Sequence, residues 1–105
     1  MKLWLKIFKD GKIIDHATLE NDLPLKKKTY EDSVIELFRK LNIDCPLQLE
    51  MHFRHIETFN MAKYSYGEFL SAPDFDYATI ENIFDEDEEY DDSKFLKSRN
   101  KRSKK

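Results

Sequence analysis

A chain of 105 residues holds material for one domain, since domains ordinarily run to about 100–150 residues. With 40% hydrophobic residues, eight Phe, five Tyr and one Trp it can fill a modest core, and two Gly with three Pro exclude a loop-rich or low-complexity chain. The net charge of −3 conceals two opposed blocks: seven acids within residues 85–92 and seven bases within residues 94–105.

Outside those blocks 11 bases face 14 acids, so the body of the chain offers nucleic acid no basic excess. The lone cysteine, Cys45, has no disulfide partner within the chain. Lys6, Lys9 and Asp10 interrupt the apolar start before a secretory core could form. No apolar run approaches the ~20 residues that span a bilayer. These features predict a cytoplasmic protein without membrane contact.

In chain order, the first element is a β-hairpin over residues 2–20. Leu3, Leu5 and Ile7 alternate with Lys2, Trp4, Lys6 and Phe8, the period of a half-buried strand. Asp10-Gly11 supplies residues that tolerate positive φ in a tight turn. A two-residue turn would pair Lys6 with Asp15. A three-residue turn with Gly11 in a bulge groups Met1, Leu3, Leu5, Ile7, Ile13, Ala17 and Leu19 on one face, with Asp15 among them. The second register buries the cleaner stripe and is preferred. A one-residue slip reverses every side chain, so the choice decides what each face presents.

Lys26-Lys27-Lys28 reads as an exposed basic turn, and a helix follows from Thr29. The Thr29 hydroxyl would cap the first free amides, with Asp32 three residues on. Tyr30, Val34, Leu37, Phe38 and Leu41 share one face, while Glu36 and Lys40 sit at i and i+4 on the other. Asn42 suits a left-handed closing position and Pro46 forbids continuation. Residues 47–60 fit either a strand through Leu47, Leu49, Met51 and Phe53 or a short helix closed by Asn60, and the helix is preferred. Tyr64, Tyr66 and Phe69 suggest a brief extended segment. Residues 75–81 have strand composition, in competition with a helix from Asp76 that would turn Tyr77, Ile80 and Phe84 inward. Past Phe84 no apolar pattern remains. The expectation is therefore a compact domain over 1–84 and a disordered acidic-then-basic tail over 85–105.

The fold class is α+β: a hairpin covered by an amphipathic helix, with further short strands completing a small sheet. The hairpin–helix–strand order is similar to a β-grasp arrangement, by topology alone. A more particular likeness rests on several segments. They are the apolar–basic first strand, the turn into Lys12-Ile13-Ile14, the T-x-x-[DE] helix start at Thr29, Pro46, Phe53-Arg54-His55-Ile56 and Asp74-Phe75-Asp76-Tyr77. Together these resemble a group of small uncharacterised proteins of anaerobic Firmicutes with no assigned function. The resemblance spans residues 1–87 and implies one compact domain of bacterial origin. It brings no activity, cofactor or site. Asn82 departs from the alternation of its last strand, and the basic tail lies outside the pattern.

Chemistry-bearing residues are few. His52, His55, Cys45 and Glu50 cluster in sequence, but a stable zinc site wants three or four ligands and no second CxxC or HxxxH pair appears. Two surface histidines are the simpler expectation, and His16 belongs on the outer face of the hairpin. Cys45 beside Asp44 lacks the electropositive surroundings of a reactive thiolate. Asp74 and Asp76 would share one strand face, which exposes the acids while Phe75 and Tyr77 turn inward. With Gly11 and Gly67 as the only glycines there is no phosphate loop. No catalytic site, metal or cofactor is expected.

Two functions from different classes survive. The leading one is a non-enzymatic interaction module, because 14 aromatic residues exceed what so small a core hides. Trp4 and Tyr66 are the candidates to meet a protein partner. The alternative is nucleic-acid binding through Arg99, Lys101, Arg102, Lys104 and Lys105, by salt-dependent phosphate contacts.

Overall fold

The computed structural model describes residues 1–83. Two strands, β1 (Lys2–Lys9) and β2 (Lys12–Glu20), lead into two helices, α1 (Lys27–Lys40) and α2 (Glu50–Phe59). Two further strands follow, β3 (Met61–Ser65) and β4 (Tyr77–Asn82), separated by a 3-10 turn at Tyr66–Glu68. The sheet runs in the order β2-β1-β4-β3 with every neighbouring pair antiparallel. The α+β class holds: the hairpin is covered by α1, and α2 packs against β3 and β4 on the same side. Among the described residues no helix is long and apolar enough to cross a membrane. The expected tail, residues 85–105, lies outside the described residues.

The hairpin combines features of both expected registers. Asp10 (φ 53°) and Gly11 (φ 76°) form a two-residue turn that pairs Lys9 with Lys12 and Phe8 with Ile13. This double positive φ matches the right-handed twist of the strands it joins. The register then shifts between Phe8 and Ile7, so Ile7 faces Asp15, Lys6 faces His16 and Leu5 faces Ala17. The extra residue is thus Ile14 rather than Gly11, one residue absorbed as a bulge within β2. Ala17 and Leu19 join Leu3, Leu5 and Ile7 as expected. Ile13 does not: it shares the Phe8 face and is 48% exposed.

The core lies between this stripe and the two helices. Leu3, Leu5, Ile7, Ala62, Tyr64, Ala78 and Ile80 come from the sheet, and Tyr30, Val34, Leu37, Phe38, Phe53 and Ile56 from the helices. Leu41 packs only at the margin. The start of α1 differs from expectation. Thr29 is its third residue, and it acts from inside the helix, accepting from the Lys26 amide at 3.1 Å and donating to the Pro24 carbonyl at 2.7 Å. Lys27 and Lys28 therefore occupy the first turn, where positive charge opposes the helix dipole. Glu50 and Asp32 answer them at 2.6 and 3.2 Å. Asn42 (φ 57°) closes α1 and Asn60 (φ 59°) closes α2, as their side chains favour. At Asn82 the alternation breaks because the residue ends β4, where its amide donates to the Asn60 carbonyl at 2.8 Å.

Candidate functional site

Both helices cover one side of the sheet, so the other side is open. Strand pairing sorts that side into cross-strand rows. Thr18, Trp4, Glu81 and Met61 form one row; His16, Lys6, Thr79 and Lys63 the next; Ile13, Phe8, Tyr77 and Ser65 the third. Of the six positions that the two central strands contribute to these rows, three are aromatic: Trp4, Phe8 and Tyr77. Phe8 and Tyr77 stack at 4.8 Å between ring centroids with planes 13° apart. The Lys63 ammonium sits 4.4 Å from the centre of the Tyr77 ring, and Lys6 sits 4.2 Å from that of Trp4. Lys6 also pairs with Glu81 at 2.6 Å. Trp4 meets His16 edge-on at 6.3 Å.

These contacts leave an apolar surface roofed by lysine stems, with the charged ends held in place rather than free in solvent. Ile13 and Met61 expose 48% and 43% of their surface at its two edges. Two polar atoms beneath it have no hydrogen-bond partner, the Trp4 indole nitrogen and the Thr79 hydroxyl. Thr79 is 94% buried although its strand partners on this face are both lysines.

The residues singled out by sequence fall as follows. Trp4 is on the open face but half-buried, with one side of its ring occupied. Tyr66 is 51% exposed and stands in the turn after β3, beyond the Ser65 row and so at the other end of the sheet from Trp4. The structure does not bring the two together. Arg99, Lys101, Arg102, Lys104 and Lys105 lie outside the described residues. Phe8 and Tyr77 were not singled out, although the first-strand alternation already placed Phe8 beside Trp4 on the outer face.

The histidine pair needs correction. His52 is not on the surface: it is 1% exposed and stacks on Tyr64 at 4.0 Å. Its Nδ1 accepts from the Leu49 amide at 2.9 Å, which leaves Nε2 to carry the proton and donate to Glu68 at 3.0 Å. A histidine at the third position of α2 thus does the work of a capping glutamate. Glu68 also accepts from the Ser65 amide at 2.8 Å, tying α2 to the 3-10 turn. His55 points away, against Phe59. Among the described residues no three His, Cys, Asp or Glu side chains are grouped to hold a metal.

Cys45 and the Asp74–Asp76 pair are also structural. Burial pushes the Cys45 thiol up to about 11, so it carries little thiolate near neutral pH. Asp74 and Asp76 precede β4 instead of sharing one of its faces, and they brace the hairpin. Asp76 accepts from the Asp10 amide at 2.8 Å, and Asp74 meets Lys9 at 3.1 Å. Compared with known proteins, the chain matches no family model, no curated protein and no solved structure.

Proposed function

We propose that this protein is a non-enzymatic interaction module that receives a protein partner on the open face of its sheet. The observation that carries the reading is the apolar content of that face, with Trp4, Phe8, Ile13, Met61 and Tyr77 on the side over which no described element packs. Aromatic and Met side chains are enriched at protein interfaces, and here they stand interleaved with Lys6, Lys63 and Glu81. A sheet side left without a second layer ordinarily carries polar residues at these positions.

Base stacking is the competing use of an aromatic sheet, and it needs free ring faces. Here Lys6 covers Trp4, while Phe8 and Lys63 cover Tyr77 from its two sides. A protein surface packs against that mixed layer without displacing it. Nucleic-acid binding through Arg99, Lys101, Arg102, Lys104 and Lys105 is the alternative, and its support is the charge of the sequence alone. In either reading the protein works in the cytoplasm.

The test is a charge placed at the two exposed edges. Ile13→Glu with Met61→Glu should abolish capture of the partner from producing cells and leave the fold intact. Ile35→Glu, a control on the outer side of α1, should change nothing. Loss with the control and retention with the pair would refute the reading.

A further inference from the structure

At the hairpin-turn end of the domain a cavity of about 390 Å³ opens on the helix side of the sheet. That is within the ordinary range for a small binding pocket, about 300–1,000 Å³. Its floor is apolar: Ile7 from β1, Leu41 and Ile43 after α1, and Phe69 and Phe75 from the connection between β3 and β4. Phe69 and Phe75 meet edge-to-face at 5.0 Å, and Phe69 meets the buried Phe38 in the same way at 5.8 Å, so this wall is anchored to the core.

Every charged side chain lining the cavity is an acid: Asp15, Asp44 and Asp74. Each is held by one neighbour. Asp15 accepts from the His16 amide at 2.9 Å, Asp44 from the Ser71 hydroxyl at 3.3 Å, and Asp74 from Lys9 at 3.1 Å. Among the described residues the second oxygens of Asp15 and Asp44 have no partner. The other cations at this end do not answer them. Lys12 is exposed on the turn, and Arg39 is engaged by Glu36 at 2.7 Å. An apolar floor beneath exposed carboxylates matches one kind of group: an aliphatic stem that ends in a positive charge.

We propose that this cavity receives a lysine or arginine side chain from a basic segment of a partner protein, stem on the Phe69–Phe75 floor and charge between Asp15 and Asp44. The contact goes beyond the open sheet face and lies on the other side of the sheet. It rests on the interaction-module reading only in taking the occupant to be a protein.

The test uses the full chain and a fluorescein-labelled hexalysine peptide, with hexanorleucine flanked by two glutamines as the uncharged control. Binding of hexalysine by anisotropy at about 0.15 M salt, where long-range attraction is screened beyond ~8 Å, is the expected result. Asp15→Asn with Asp44→Asn should weaken it at least tenfold. The matched control Asp32→Asn with Glu57→Gln, two exposed acids on the helices, should leave it within about twofold. Equal losses in the two pairs would show general charge attraction and overturn the proposal, as would no binding at all. Binding that appears only after Arg99, Lys101, Arg102, Lys104 and Lys105 are changed to glutamine would place the chain's own basic end in the cavity and overturn assignment to a partner. Neither Asp15 nor Asp44 lies on the open face, so failure here leaves the sheet-face reading standing, and the Ile13/Met61 variant should still bind hexalysine if only that reading fails.

Discussion

Tyr30 from α1 and Tyr64 from β3 meet hydroxyl to hydroxyl at 2.8 Å in the centre of the core, both fully buried. Tyr64 is held flat against His52 and Tyr30 leans on Phe53, so neither ring has room to swing its hydroxyl elsewhere. Removing one hydroxyl leaves the other dry and unpaired, which costs about 1–3 kcal/mol for a buried polar group. Removing both leaves two phenyl rings of nearly the same shape and no orphan, which is close to neutral. Tyr30→Phe and Tyr64→Phe should therefore each destabilise by about 2 kcal/mol, and the double variant by less than either. The implied coupling is more than about 2 kcal/mol, towards the upper end for residues in contact. Urea unfolding of the four proteins, with the denaturant slope checked for constancy, measures it directly. A double variant whose loss equals the sum of the singles within about 0.5 kcal/mol would show that the hydroxyls do not depend on one another.

Other consequences concern the same interior. Phe38 is fully buried between Tyr64 and Phe69, so Phe38→Ala should cost about 3–5 kcal/mol in urea unfolding; a loss below about 1 kcal/mol would mean the helix packs by another face. His52→Ala removes the acceptor for the Leu49 amide and should cost about 1–3 kcal/mol, whereas His55→Ala should stay within about 0.5 kcal/mol; the reverse order would contradict the assignment of roles. Cys45 should react with iodoacetamide at pH 8 on the order of a hundredfold more slowly in the folded chain than in the denatured one, because its thiolate fraction falls with the raised pKa; equal rates would refute its burial. Burial also raises the Tyr30 and Tyr64 hydroxyls, so above pH 9 the folded chain retains protons that the unfolded chain releases from groups of ordinary value 9.0 and 10.0. Stability should be flat just below pH 9 and fall as pH rises beyond it, and a rise over that interval would reverse the sign of the linkage.

Much of the fold was legible because alternation and helical spacing are properties of the chain itself. Leu3, Leu5 and Ile7 marked the inner face of β1, and Asn42 and Asn60 marked where both helices stop. What was not legible depended on residues distant in sequence. The bulge at Ile14 satisfies two demands at once, a tight Asp10–Gly11 turn and an inward Ala17–Leu19 stripe, and neither segment alone reveals the other. Thr29 looks like a cap in sequence, but its hydroxyl is claimed by Pro24, so the helix begins two residues earlier. His52 reads as a surface residue until Tyr64 and Glu68, 12 and 16 positions on, are brought against it. Strand composition over 77–82 defeated the competing helix because β4 lies between two partners, and Ala78, Thr79 and Ile80 are buried in succession. The candidate surface was half legible. Trp4 was found from its place in the alternation. Its neighbours Tyr77, Met61 and Lys63 belong to strands whose order no local pattern encodes.

The central claim is that a partner protein lies on the open side of the sheet, and a photo-crosslinker tests it most directly. A benzophenone side chain at position 63, in the row between the Trp4 and Phe8 rows, reaches anything docked there. The same group at position 35 or 57 reports on the outer sides of α1 and α2. Illumination of producing cells should yield a discrete protein adduct from position 63 that disappears in the Ile13→Glu, Met61→Glu background. Adducts from positions 35 or 57 with none from 63 would place the interface on the helices and contradict the account.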